Sequence, residues 1–69
     1  MYPNLLGMKT YYKLTNDEMA RIIHVSRKSY ETKMRTGKFT IAEAKAYCQY
    51  FNRDFDYLFA IPNTRNRTA

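Results

Sequence analysis

Apolar residues recur along this chain at helical intervals, in short stretches divided by polar breaks. Leu5, Met8 and Tyr12 fall at i, i+3 and i+7, an amphipathic helical stripe. Pro3 suits the first turn of that helix, where its missing N–H costs nothing. Gly7 lies inside it and costs up to about 1 kcal/mol relative to alanine. It either admits a close neighbour or weakens the turn. Met19, Ile22 and Ile23 form the apolar face of a second helix that stops near His24. Tyr30 and Met34 are four apart and share one face of a third. Ile41, Ala44, Cys48 and Phe51, with Tyr47 alongside, make the cleanest periodic segment and predict a fourth. Phe55, Leu58 and Phe59 predict the buried face of a short fifth, ended by Pro62. The expectation is an all-α, compact five-helix domain, with helices of about 7–13 residues and short links.

Polar residues mark the boundaries. Thr15–Glu18, "TNDE", is a capping box: the Thr15 hydroxyl accepts from the Glu18 N–H, and the Glu18 carboxylate reaches back to the Thr15 N–H. Asp17 adds negative charge near the positive helix end. Ser26 is a good N-cap for the third helix, and Gly37 is its stop. Thr40–Glu43, "TIAE", is a second capping box. Asn52 and Arg53 break the fourth helix, and Asp54 caps the last. The final stretch, "PNTRNRTA", has no apolar anchor. The domain is therefore expected over residues 1–61, with 62–69 a disordered basic tail.

Size and charge narrow the function. A domain of 69 residues buries only about 60% of the surface its unfolded chain exposes, which leaves no volume for a deep small-molecule substrate pocket beside the core. No apolar run approaches the roughly 18 residues of a membrane span, and the start does not read as a signal peptide. The single Cys48 cannot form an internal disulfide, which suits a reducing cytoplasm. The net charge is +6, and most of it is local. Residues 21–38 carry Arg21, Arg27, Lys28, Lys33, Arg35 and Lys38 against Glu31 alone. Such a concentration is the electrostatic footprint of a polyanion-binding face, or simply a solvated basic surface.

The position of that charge favours the former. The second and third helices are short, joined by three or four residues at most, and the second of the pair is basic. That is the layout of a helix-turn-helix, over about 15–37, whose recognition helix (about 26–36) enters the DNA major groove. At about 100° per residue, Arg27, Lys28, Glu31, Thr32 and Arg35 fall on one arc about 140° wide, while Ser29, Tyr30, Lys33 and Met34 fall on the other side. Arg27 and Lys28 occupy the first turn, from which recognition helices reach base edges. Arg27 suits the O6 and N7 of guanine as a bidentate donor, and Lys28 the same acceptors as a point charge. Thr32 suits a base edge or the thymine methyl. Asn16, Ser26, Ser29, Arg35 and Lys38 are the expected phosphate contacts that fix register. Glu31 is awkward on this face. It accepts from a cytosine amine, orients Arg27 or Arg35, or repels the backbone.

The stretch "LTNDEMARIIHVSRKSYETKMRTGK" resembles the Cro/CI-type (XRE) helix-turn-helix of small phage and bacterial regulators. The likeness extends over "MYPNLL", "FTIAEAKAYCQYFN" and "FDYLF". Leu14, Thr15, Met19, Ala20, Val25, Ser26, Tyr30, Gly37 and Leu58 match the family's pattern, and Arg27, Lys28 and Thr32 match its base readers. The resemblance implies a five-helix, lambda-repressor-like domain binding double-stranded operator DNA, usually as a homodimer, in the cytoplasm of a bacterial host. Two departures stand out. His24 replaces the family's turn glycine, in a slot that often needs positive φ; histidine is among the few non-glycine types enriched there. The arc also lacks the Asn and Gln side chains with which many relatives read adenine.

A second reading keeps the fold and changes the partner. A co-repressor or anti-repressor would complex a larger phage repressor through Arg27, Lys28, Glu31 and Arg35. Glu31 within the arc and the surplus of Tyr and Phe motivate it. Leu6, Tyr11, Tyr50 and Ile61 fit the core least and are candidates for a dimer or partner patch. Cys48 reads as a small core residue, and His24 as a turn residue. One His and one Cys fall short of a metal set. No cofactor is expected, and no motif suggests an enzyme. Arg65 and Arg67 in the tail either sweep along phosphates or do nothing.

Overall fold

Five helices follow one another in the structure, a computed structural model that describes residues 2–61: α1 (Pro3–Tyr11), α2 (Asn16–Ile22), α3 (Arg27–Thr36), α4 (Ile41–Phe51) and α5 (Phe55–Leu58). No strand occurs among the described residues. The expected tail, 62–69, with Pro62, Arg65 and Arg67, lies outside them.

The helix starts follow from local chemistry. Both capping boxes are formed: the Glu18 N–H donates to Thr15 Oγ1 at 3.1 Å and the Thr15 N–H to Glu18 Oε1 at 2.8 Å. Thr40 and Glu43 repeat the pair at 3.1 and 2.9 Å. Ser26 Oγ accepts from the Ser29 N–H at 3.1 Å and starts α3. Each such cap contributes about 1 kcal/mol. Asp54 holds the N-cap position of α5 without a side-chain cap bond, and Pro3 opens α1 as expected.

The helix ends share one device. Each of the four links contains one residue in the left-handed region: Lys13 (φ 57°), His24 (φ 60°), Gly37 (φ 77°) and Asn52 (φ 54°). After α1, α2 and α4 the following N–H folds back to the helix. Leu14 donates to the Lys9 carbonyl, Val25 to Ala20 and Arg53 to Cys48. These six-to-one bonds satisfy carbonyls that a helix end would otherwise leave unpaired.

All five helices feed one core. Leu5 and Met8 come from α1, Met19 and Ala20 from α2, Ile23 from its end, Tyr30 from α3, Tyr47 and Phe51 from α4, and Leu58 from α5. No polar or charged residue is buried among the described residues. Two tyrosine hydroxyls tie distant segments: Tyr47 donates to the Met19 carbonyl at 2.8 Å and Tyr2 to the Gly37 carbonyl at 2.7 Å. Asn4 Nδ2 donates to the Tyr57 carbonyl at 2.9 Å, fastening α1 to α5.

Several expected core positions are elsewhere. Ile41 is 78% exposed and Phe55 57% exposed. Each is the first residue of its helix. Side chains tilt toward the helix N-terminus, so a first residue projects off the end instead of onto the packed flank. The buried stripe of α4 is Ala44, Tyr47 and Phe51, with Cys48 half-buried against the core. Tyr12 lies past the end of α1 and is 51% exposed, its ring stacked on Phe51 at 5.8 Å. In α2, Ala20 is buried, while Ile22 is only partly so.

Candidate nucleic-acid interface

The link between α2 and α3 is residues 23–26. The His24 N–H donates to the Arg21 carbonyl at 3.1 Å, and the Val25 N–H to Ala20 at 3.1 Å. His24 thus takes the left-handed position that usually belongs to glycine. Its side chain is exposed at the rim of an open groove of about 710 Å³ lined also by Leu14, Ile22, Ala46 and Tyr50. Among the described residues no group of three or more His, Cys, Asp or Glu is placed to hold a metal.

Beyond the turn, α3 presents two faces. Tyr30 is 2% exposed, and Ser29, Lys33 and Met34 are half-buried. Arg27, Lys28, Glu31, Thr32 and Arg35 are all exposed. The division matches the helical wheel, with buried Tyr30 and partly buried Met34 both packed on the core. The Tyr2 hydroxyl on Gly37 holds the far end of α3. Thr36 Oγ1 donates back to the Thr32 carbonyl at 2.8 Å. Thr32 itself is exposed.

The centre of that face is a small polar network. Asn16 Nδ2 donates to Glu31 Oε2 at 2.9 Å, joining the start of α2 to α3. Arg27 Nε lies 3.8 Å from the same oxygen and 3.9 Å from Asp17 Oδ1. At these lengths and this exposure the ion pairs contribute little to stability, but they bias the direction of the guanidinium. Glu31 thus lies within ion-pair distance of Arg27 and has no ion pair with Arg35 among the described residues. Asn16, an expected phosphate contact, spends a donor on Glu31.

Lys33 stands apart from the other cations. Its Nζ is 3.2 Å from Glu43 Oε1, with both side chains largely covered, at 21% and 13% exposure. It joins α3 to α4 and faces away from the outer arc. Arg21, Lys28, Arg35 and Lys38 are exposed and have no carboxylate within 4.0 Å among the described residues. Of the six cations in residues 21–38, four thus have no ion-pair partner among the described residues, while Arg27 lies between two carboxylates.

Asp17 is the participant that sequence reasoning missed. Its nearness to Arg27 depends on how α2 and α3 cross, although the i, i+4 spacing of Arg27 and Glu31 was readable. The four candidates for a partner patch divide. Tyr11 and Tyr50 are exposed and flank a stacked pair, Tyr11 packing on Tyr12 and Tyr50 on Phe51 at 5.0 Å each, with Tyr12 and Phe51 5.8 Å apart. Leu6 instead borders a shallow cavity of about 310 Å³ with Tyr30, Glu31 and Met34. Ile61 is exposed at the end of the described chain. No described helix is long and apolar enough to cross a membrane. No family model, no curated protein and no solved structure matches the chain.

Proposed function

We propose that this protein is a small phage-type transcriptional regulator of the Cro/CI kind, a lambda-repressor-like helix-turn-helix domain that binds operator DNA through α3. The observation that carries the reading is the outer face of α3. Five polar residues, three of them cationic, stand exposed on one arc beginning at the helix N-terminus. Arg27, Lys28 and Thr32 read bases, while Asn16, Ser26, Ser29, Arg35 and Lys38 hold phosphates. His24 at φ 60° supports it further, since the turn keeps the backbone shape of the family's glycine without the glycine. One such helix reads only a few base pairs, so a homodimer on a two-fold site is implied.

The test begins with selection from a randomised duplex library, followed by titration across a salt series. Binding should weaken steeply with salt as phosphate counterions are restored. Arg27→Ala should erase site preference, while Lys38→Ala should weaken all duplexes about equally. Absence of duplex binding at low salt would end the reading.

The network of Asn16, Asp17, Arg27 and Glu31 favours a second reading, in which the same face docks on a larger phage repressor and acts as co-repressor or anti-repressor. Two carboxylates suit a basic protein surface better than a phosphate backbone. Gel filtration with that repressor discriminates: a stable complex without DNA, together with weak duplex binding alone, supports it.

A further inference from the structure

Glu31 has unused acceptor capacity. Its Oε2 takes the Asn16 amide and faces Arg27, while Oε1 accepts no hydrogen bond from any described residue. The side chain is 47% exposed on the outer arc of α3. An ionised carboxylate is an acceptor only. Pressed against a duplex without a donor, it would be desolvated and unpaired, which is costly. In the major groove the base edges offer just one kind of donor, the exocyclic amine of cytosine N4 or adenine N6.

Arg27 supplies the second half of the geometry. The guanidinium approaches Asp17 and Glu31 through Nε. Neither Nη appears in an ion pair or hydrogen bond with a described residue, so the terminal fork is left for O6 and N7 of guanine. Residues 27 and 31 are separated by about 6 Å along the helix, comparable with two base-pair steps of about 3.4 Å.

Resting on the reading of α3 as a DNA-binding helix, we propose that Glu31 is a specificity-determining residue. It fixes Arg27 for a guanine and accepts the amine of a cytosine or adenine within about two base pairs of it, by the same rise. Every base pair carries one such amine, so the selection lies in which strand presents it: guanine or thymine on the contacted strand at that position is rejected. The acid on the basic arc then selects among duplexes where Arg35 and Lys38 attract all of them.

The experiment compares sites selected from a randomised duplex library by the wild-type chain, Glu31→Ala and Glu31→Gln. Folding of each is checked by its thermal transition. The wild-type site should contain a guanine with cytosine or adenine held on one fixed strand at a position within two base pairs of it. Glu31→Ala should lose about tenfold of the preference at the amine position and weaken, without abolishing, the preference for the guanine. Glu31→Gln should shift that position toward adenine, which an amide contacts bidentately. Base analogues lacking the amine, placed in the wild-type site, identify cytosine or adenine as the partner and should weaken the wild-type chain but not Glu31→Ala. An unchanged site profile for Glu31→Ala, or a uniform gain on all sequences, overturns the proposal; the latter marks Glu31 as simple repulsion. Failure of the wild-type chain to bind any duplex is a separate outcome that removes the DNA reading and this proposal together.

Discussion

The Tyr47 hydroxyl donates to the Met19 carbonyl oxygen across 2.8 Å, and neither residue has solvent-exposed surface. This bond joins α4 to the middle of α2, 28 positions away in sequence. Removing it leaves a buried carbonyl without that donor. Tyr47→Phe should therefore cost about 1–3 kcal/mol, measured by denaturant unfolding, with the helical spectrum of the native state preserved.

The same tyrosine sets a limit at high pH. Burial is the main cause holding its phenol well above the ordinary range, with neighbouring Tyr30 and Glu43 adding to it. Burial, then Glu31, pushes Tyr30 up from 10.0 to about 12. Both phenols therefore ionise sooner in the unfolded chain. Stability from this source is fully present below pH 10 and falls as pH rises toward and past 12. Thermal unfolding should be insensitive to these groups near neutrality and drop above pH 10. Tyr47→Phe should show a shallower alkaline decline than the wild-type chain.

Lys33 and Lys28 should separate stability from binding. Lys33 is largely covered and paired with Glu43 at 3.2 Å, so Lys33→Ala should destabilise the fold by about 1 kcal/mol. Its effect on duplex affinity should stay within about twofold. Lys28 is exposed and has no carboxylate partner within 4.0 Å among the described residues. Lys28→Ala should leave the thermal midpoint unchanged and weaken duplex binding, with a smaller salt dependence.

Two backbone substitutions should raise stability. A Cβ placed on Gly7 meets nothing within 4 Å. Of the two roles its sequence position allowed, close approach is thus removed, and Gly7→Ala should add about 0.5–1 kcal/mol. His24 sits at φ 60°, a conformation that costs most side chains roughly 1–2 kcal/mol. His24→Gly should add up to about 1 kcal/mol, while His24→Val should destabilise. Chemical denaturation of the three variants checks both signs.

The readable parts of this fold are those whose cause lies within a few residues. Thr15 with Glu18, Thr40 with Glu43 and Ser26 with Ser29 are three apart, and each forms the expected cap. The outer arc of α3 was readable because Tyr30 and Met34, four apart, mark the inner face of the helix. What escaped depends on how helices cross. The bonds from Tyr2 to Gly37, from Asn4 to Tyr57 and from Asn16 to Glu31 span 35, 53 and 15 positions. No periodicity encodes those partners. Ile41 and Phe55 were misplaced for a different reason, since a repeat of apolar residues gives a face but not where along the helix its packing begins.

Left-handed residues at all four links have an evolutionary consequence. Three of them, Lys13, His24 and Asn52, carry side chains where glycine fits with less strain. They lie in separate links, so substitutions there should act nearly independently. The molecule therefore holds unused headroom in its connections. Drift toward glycine at these sites would raise the margin of stability without altering the outer arc of α3, and that margin is what lets a lineage sample costly new residues on its contact face. These three turn positions, none of them a proposed contact, would in this way govern how fast the protein can acquire a different partner.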